Sequence, residues 1–464
     1  MIERIFSFLR LIILARILVP ADFGLLGIAM LTMMTLENFS QTGFEAALIQ
    51  KNETVKHYLD SAWTVGIIRG GFLFFILLVI APYVAVFFEA TQAAPVIRAL
   101  GFSFLINAFT NVGTVFFKKE LEFNKQFTYQ LSGTLTDFIV TVSAALLLRS
   151  VWALVFGLLA GNTVKLVTSY TIHPYRPSFN LNLRKVKELF GFGKWILGSN
   201  IFVFFLTQGD DAVVGKILGV AALGFYQMAY KFANIPNAEI TGIISQIAFP
   251  AYSKIQSNIP RLKKAYFNIL KLTAFVSFPT GVMIFVLAAD FTKIFLGDQW
   301  LPIVSVMKIL SVYGIIGAIT GSFGPVFRGI GDPHIPTIGS LFQLLMMILI
   351  ICPLTHQFGM AGSAMAVLVS IGFVAIYLGK AILRILNCNV KELILPIIPP
   401  AFCSAVIFFF ASFLSKTIDT VNLRFTLILT TCATIYLVLI IWLDKSFRKY
   451  LWEHGHDFIM NNEK

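Results

Sequence analysis

Apolar runs of about 20 residues recur along the whole chain, and connections of at most about 20 residues separate them. Such a run at 1.5 Å per residue matches a hydrocarbon core of roughly 30 Å, so the repeated unit is a membrane-crossing helix. The alternation that marks an outer-membrane barrel, about ten residues long, is absent. Fourteen candidate spans can be drawn: 4–19, 24–47, 62–88, 95–117, 127–148, 151–172, 192–214, 220–248, 267–289, 302–327, 336–354, 359–383, 393–414 and 424–443. Composition agrees: 57% of the 464 residues are hydrophobic and 13% charged, where a soluble chain carries about 25% charged residues. An all-α integral membrane protein is expected, with no connection long enough for a soluble catalytic domain.

The first apolar stretch, Ile5–Val19, is short for a full crossing, and no small-residue cleavage site follows it. It is read either as a tilted, partly solvated helix or as a helix whose beginning precedes this sequence. Cys352, Cys388, Cys403 and Cys432 lie in or beside apolar segments without CxxC spacing, so all four are expected as small packing residues.

Charge sorts the connections. Alternate loops and the C-terminal tail together hold 22 Lys and Arg residues, and the opposite set holds 5: Arg149, Lys216, Lys293, Lys416 and Arg424. The positive-inside rule then puts both termini in the cytoplasm. The net charge of +13 is thus mainly topological and does not point to nucleic acid. Between the sixth and seventh spans, Leu183, Val186, Leu189 and Phe190 recur at helical spacing with Arg184, Lys185 and Lys187 between them. This predicts an amphipathic helix on the cytoplasmic membrane surface, with a solvated connector as the plainer reading.

The two halves echo one another. ARILVPADFGLLGIA (15–29) and GKILGVAALGFYQMA (215–229) share Ile17/Ile217, Leu18/Leu218, Ala21/Ala221, Gly24/Gly224 and Ala29/Ala229, with Arg16 over Lys216. Thr42-Gly43 meets Thr241-Gly242, and Arg98-Ala-Leu100 meets Lys308-Ile-Leu310. Six spans separate each matched pair, so both halves enter the membrane in the same direction and the repeat is parallel. The expected organisation is an N-lobe at 1–173, a cytoplasmic linker at 174–193, a C-lobe at 194–386, two further spans within 387–443 and a tail at 444–464. Two six-helix lobes facing a central cleft have the geometry of alternating access.

An ionisable group within a span costs roughly 2.5–3.5 kcal/mol on insertion scales, so each one needs a partner or a wet cavity. The basic candidates are Arg69, Arg98, Lys165, Lys231, Lys271 and Lys308; the acidic ones are Glu37, Glu45, Asp137, Asp210, Asp211 and Glu239. Arg69, Lys231 and Lys271 lie deepest and are the first choice for holding an anionic substrate, against an ion-pair or snorkelling reading. Arg98, Lys165 and Lys308 lie nearer span ends, where snorkelling is favoured. Glu37 and Glu239 are candidate cavity partners. Asp210-Asp211 reads as a Na⁺ or H⁺ coupling site, or as interfacial carboxylates that pair with Lys216. Gly329-Ile-Gly-Asp-Pro333 lacks the GxxxxGK[ST] pattern and is read as a turn. No sequence pattern for a metal or cofactor is found, and none is expected.

The segments LARILVPADFGLL (Leu14–Leu26), FSQTGFEAALIQK (Phe39–Lys51) and GDDAVVGKILGVAALGFYQMAYKFANIP (Gly209–Pro236) resemble hallmark segments of the polysaccharide branch of the MOP exporter superfamily. The likeness is nearest to lipid-linked repeat-unit flippases of the colanic-acid and teichuronic-acid exporter type. It implies a bacterial cytoplasmic-membrane protein that moves undecaprenyl-pyrophosphate-linked oligosaccharides through a cationic cavity. Membrane lipids and polysaccharide polymerase machinery would be its partners. Members usually carry residues before the first helix, so the resemblance also implies a longer first span. An exporter of small cations shares the twelve-helix core, but would call for an acidic cavity. A membrane polymerase or ligase would call for a larger outer loop than this chain has, so no enzyme activity is expected.

Overall fold

The computed structural model describes residues 2–41, 44, 48, 56–182 and 202–443, and every regular element among them is helical. Thr42, Gly43, Glu45, the proposed surface helix from Leu183 to Phe190 and the tail from 444 onward lie outside the described residues. The chain divides into two compact units, Met1–Gln227 and Met228–Lys464.

The first unit contains α1 (Ile2–Ile17), α2 (Pro20–Ser40), α3 (Lys56–Phe87), α4 (Ala93–Ala108), the short α5 (Val115–Lys119), α6 (Phe123–Leu148) and α7 (Trp152–Ile172). Helix α8 (202–218) and the beginning of α9 (Val220–Ala233) complete it. The second unit takes the rest of α9, then α10 (Ile235–Ile255), α11 (Ile259–Phe291), α12 (Ile303–Gly321), α13 (Gly324–Gly329), α14 (His334–Ile385), α15 (Val390–Ile394), α16 (Ile398–Thr417) and α17 (Val421–Leu443).

Helices are the only open-ended elements that satisfy every backbone group inside lipid. Their outward faces are correspondingly apolar. On α3, Phe72, Phe75, Val79 and Val86 are 49–73% exposed, while Leu73, Leu77, Ala81 and Ala85 turn inward at four-residue spacing.

Among the described residues, nine helices are long and apolar enough to cross a membrane, or ten when the bent pair formed by α4 and the segment Val112–Lys119 counts as one span. The sequence suggested fourteen, and part of the gap is how α14 is counted. Its 52 residues would reach about 78 Å, more than two bilayer crossings. Gly359, at φ 61°, breaks it into two, a left-handed conformation that glycine adopts without Cβ strain. α1, at 16 residues, is short for a crossing.

The repeated sequence line meets its own copy. A Cβ on Gly24 would lie 1.9 Å from the carbonyl oxygen of Val220, and one on Gly224 would lie 2.1 Å from that of Pro20. Residues 20 and 24 match 220 and 224 at the 200-residue offset, so the contact is reciprocal, as a local two-fold relation requires. Only glycine at both positions lets the helices approach this closely.

In the second unit, Tyr252, Tyr266, Phe327, Leu378 and Ile382 centre the core of α10, α11, α13 and α14. Helices α16 and α17 pack on α11 through Cys403, Ile407, Cys432 and Tyr436. Arg424 of α17 fastens the same contact, with Nε donating to Asp290 Oδ2 at 2.8 Å and Nη2 donating to Oδ1. Cys403 and Cys432 are buried as expected, but Cys352 is exposed on the outer face of α14, where a thiol is apolar enough to face lipid.

Candidate functional site

The first unit holds a half-open cavity of about 450 Å³ between α2, α3, α4, α5 and α6, lined by Arg69, Glu37, Lys118, Trp63, Asn107, Asn111, Gln126 and Gln130 among others. A break in the fourth span creates it. After Ala108 the chain bends by 74° before Val112–Lys119, so α5 departs from the line of α4 and leaves a wedge of space.

Asn111 holds the break and is wholly buried. Its backbone N–H donates to Ser169 Oγ (3.0 Å), its carboxamide donates to the carbonyl of Tyr175 (2.7 Å), and its Oδ1 accepts from Gly113 N–H (2.9 Å). All its polar groups are engaged, as burial demands.

The segment after α7 runs extended alongside α3. Tyr175 Oη and the Ser178 N–H donate to Asp60 Oδ1 at 2.7 and 2.8 Å, and the Asn180 N–H donates to Thr64 Oγ1 at 3.0 Å. Phe179 lies against Trp63, with ring centroids 5.0 Å apart. His173 begins this strap, stacked on Phe116 at 5.6 Å, and its Nδ1 accepts the Tyr175 N–H at 3.1 Å. That bond requires the neutral ring, and burial, with Lys125 next in weight, pushes the imidazole below its ordinary range.

Of the sequence-expected residues, Arg69 and Glu37 are brought together. The guanidinium donates through Nε and Nη2 to Ser40 Oγ (3.1 and 3.0 Å) and through Nη2 to the Glu37 carbonyl (3.1 Å). The Glu37 carboxylate stands 3.8 Å away, leaving Nη1 of Arg69 without a described acceptor.

Asp210 and Asp211 on α8 are each tied to the residue sixteen positions on. Tyr226 Oη donates to Asp210 Oδ2 at 2.8 Å, and Gln227 Nε2 donates to Asp211 Oδ2 at 2.7 Å. Neither described bond involves Lys216, whose Nζ pairs with Glu89 at 2.8 Å. Lys231 and Lys271 belong to the second unit, the first exposed and the second half-buried; neither is without a partner. The side chain of Glu239 lies outside the described residues.

Asp137 and Lys308, also within spans, make contacts of their own. Asp137 accepts from Arg10 and from Thr141 Oγ1, joining α1 to α6. Lys308 lies over the ring of Phe285 at 5.5 Å. Arg10 escaped the sequence search because it lies in the short first helix. Asn107, Gln126 and Gln130 are uncharged and so carry no mark in a hydropathy or charge pattern; their one sequence signal is the i, i+4 spacing of Gln126 and Gln130 on one helical face. Among the described residues, no three His, Cys, Asp or Glu side chains are grouped to hold a metal ion.

The fold resembles that of the lipid II flippase MurJ in an inward closed conformation, with a TM-score of 0.78 at 14% identity, over 96% of this chain and 99% of that one. In sequence, the chain is 25% identical to the lipopolysaccharide biosynthesis protein WzxC of Escherichia coli K12, over 68% of this chain and 64% of the relative. It is 26% identical to the teichuronic acid biosynthesis protein TuaB of Bacillus subtilis 168, over 62% of this chain and 60% of the relative. The matched regions thus span just under two thirds of each of these two relatives. Residues 13–305 match the Polysacc_synt_3 model, and this multi-pass membrane protein therefore belongs to that family of polysaccharide biosynthesis proteins.

Proposed function

We propose that the protein is a flippase that carries undecaprenyl-pyrophosphate-linked oligosaccharide repeat units across a bacterial cytoplasmic membrane for exopolysaccharide or lipopolysaccharide synthesis. The observation that carries this reading is a polar, cation-bearing cavity inside an otherwise apolar helical unit, in a polysaccharide biosynthesis family. A diphosphate taken through a low-dielectric layer needs fixed cations and excluded lipid. Arg69, with Nη1 still available, supplies one such cation; Lys231 and Lys271 are assigned the same role from the second unit. Glu37 moderates Arg69, and Glu239, eight residues after Lys231 in the sequence, is assigned a matching role.

In this reading, fourteen spans form two parallel six-helix lobes and two C-terminal helices, both termini are cytoplasmic, and transport proceeds by alternating access. Asp210 and Asp211 are assigned the coupling to H⁺ or Na⁺. The protein transports rather than catalyses, and completed units pass to a separate polymerase.

Deletion of the gene in its host, followed by extraction of lipid intermediates, tests the proposal. Accumulation of a complete lipid-linked oligosaccharide on the cytoplasmic side is expected, and Arg69→Glu should fail to relieve it while remaining in the membrane. Units that reach the outer leaflet but stay unpolymerised would reassign the protein as a polymerase. Drug sensitivity without any lipid intermediate would make it a multidrug pump.

A further inference from the structure

Beyond Gly359, α14 presents one face outward. Met365, Val369, Phe373 and Ile376 recur at three- and four-residue spacing and are 37–61% exposed, while Val367, Ile371, Val374 and Leu378 turn into the core. On a membrane-crossing helix, such an outward stripe is the surface that acyl chains meet. Continued by four residues at a time, it reaches Lys380 and then Arg384, both exposed. The stripe therefore ends in two cations one helical turn apart, with Cβ atoms about 5–6 Å from each other. They stand at the end of the span, at the level of the lipid headgroups.

The chain then turns back along the surface. The Asn387 and Cys388 amides donate to the carbonyls of Arg384 (3.4 Å) and Leu383 (3.0 Å), with Asn387 at φ 46°, a helix-ending turn around one left-handed residue. The turn delivers α15 beside the last turns of α14: a Cβ on Gly379 would lie 3.9 Å from Leu393, and Leu393 packs on the core that holds Ile382 and Leu386. Glu392 pairs with Lys263 of α11. Val390, Ile394 and Leu395 are left 46–67% exposed, and Lys391 is exposed beside them. Because α15 lies between two candidate spans, α14 and α16, it stays at the membrane surface, where an element that mixes exposed apolar and basic side chains is an interfacial one. Residues 378–400 hold three cations and one carboxylate, the already paired Glu392. The side chains of Lys380, Arg384 and Lys391 have no partner among the described residues.

We propose that this end of the second unit is a binding site for an anionic glycerophospholipid, with its phosphate held by Lys380, Arg384 and Lys391 and its acyl chains laid along Phe373, Ile376 and Ile394. A phosphate diester only accepts hydrogen bonds and carries one negative charge, which matches three cationic donors that bring no acceptor. A zwitterionic headgroup carries its own ammonium, which the same cations repel. The apolar stripe that runs directly into the cations favours a lipid over a soluble anion or an acidic protein, neither of which would fill it. Bound lipid bridges α14 to α15 from outside. The site is separate from the cavity of the first unit, and the proposal needs nothing of the flippase reading.

The test titrates the full-length protein in detergent with phosphatidylglycerol and with phosphatidylethanolamine of the same acyl chains, and counts bound lipid by native mass spectrometry. Near a membrane surface each Lys or Arg adds about fivefold in affinity for anionic lipid. Phosphatidylglycerol should therefore be preferred by up to about a hundredfold, and Lys380→Gln/Arg384→Gln/Lys391→Gln should abolish the preference. Lys380→Arg/Arg384→Lys/Lys391→Arg keeps the charges and should keep the preference, which guards against misfolding as the cause. Lys254→Gln/Arg261→Gln/Lys264→Gln removes the same charge from the ends of α10 and α11, off the stripe, and should leave most of the preference in place. Equal binding of the two lipids would overturn the site, as would a preference that survives the first variant. An equal loss in the variant at 254, 261 and 264 would also overturn it, by reducing the effect to diffuse surface charge. So would full displacement of phosphatidylglycerol by excess inorganic phosphate, which would leave an anion site without an acyl surface. None of these results bears on the flippase reading, since no transported substrate enters the measurement.

Discussion

The reciprocal glycine contact makes a quantitative prediction. Replacing Gly224 with alanine puts a methyl carbon 2.1 Å from the carbonyl oxygen of Pro20, and Gly24→Ala puts one 1.9 Å from that of Val220. Close carbon–oxygen contacts settle near 3.3 Å, so the backbones must part by about 1.2 Å in one case and about 1.4 Å in the other. The obstructing atoms are main-chain carbonyls, which no rotamer change can move aside. Overpacking of this kind costs about 1–3 kcal/mol, a factor of about five to 150 in the equilibrium between closed and separated helices. Because one displacement relieves both clashes, the double variant should cost clearly less than the sum of the singles. Reversible SDS unfolding of the purified protein in mixed micelles measures each loss. Gly66→Ala serves as the internal control, since it meets open space and improves helix propensity by up to about 1 kcal/mol. The reasoning fails if Gly24→Ala and Gly224→Ala are as benign as Gly66→Ala, or if their costs simply add.

Two further outcomes follow from other contacts. Asp290→Ala removes the buried carboxylate from a pair whose arginine is 20% exposed and keeps the carbonyls of Ser415 and Ile418 as acceptors; the same SDS assay should register a loss of about 1–3 kcal/mol, and no loss would mean that water screens the pair. His173 is neutral in the fold and its titration is displaced downward from 6.5, so the folded state binds this proton less readily than the unfolded chain. Its contribution is therefore complete above pH 6.5 and is lost as pH falls through the lower folded value. Hydrogen exchange at the Ser178 and Asn180 amides, corrected for intrinsic rate, should quicken in that window; His173→Gln should remove the effect, while the contribution of Asp60, which also faces the strap, is common to both proteins. Protection that does not change between pH 8 and pH 5 would rule out a role for the imidazole in holding the strap.

Much of the fold was legible because lipid leaves the chain few choices. Apolar length alone marked the helices, since a backbone in hydrocarbon must bond to itself. Sequence draws two spans, 336–354 and 359–383, where α14 runs for 52 residues with a break at Gly359, and the φ of 61° at that break is invisible to hydropathy. The cavity was less legible. Charge singled out Arg69 and Glu37, and these two do meet, but the wall opposite is built from uncharged amides that cost a helix little and leave no mark on a hydropathy profile. Nor does a sequence announce the 74° bend between α4 and Val112–Lys119; Asn111 sits in that bend, and its hydrogen bonds include ones to Ser169, Tyr175 and Gly113, up to 64 residues away.

The repeated line has a similar lesson. Its shared Ile, Leu and Ala residues are what any two apolar helices share, and by themselves they locate nothing. The matched glycines are different, because each lies against the carbonyl at the position that corresponds to the other's partner. A side chain at either glycine would part both contacts, so the crossing depends on the two glycines together. The asymmetry lies beside this crossing, in Asp210 and Asp211, whose positional counterparts in the first copy are the cation Arg10 and the apolar Leu11. Arg10 bonds to Asp137, whereas Asp210 and Asp211 bond to Tyr226 and Gln227 on the neighbouring helix. The same crossing is thus flanked by opposite charge in the two copies, a cation held by Asp137 in one and two carboxylates held by Tyr226 and Gln227 in the other.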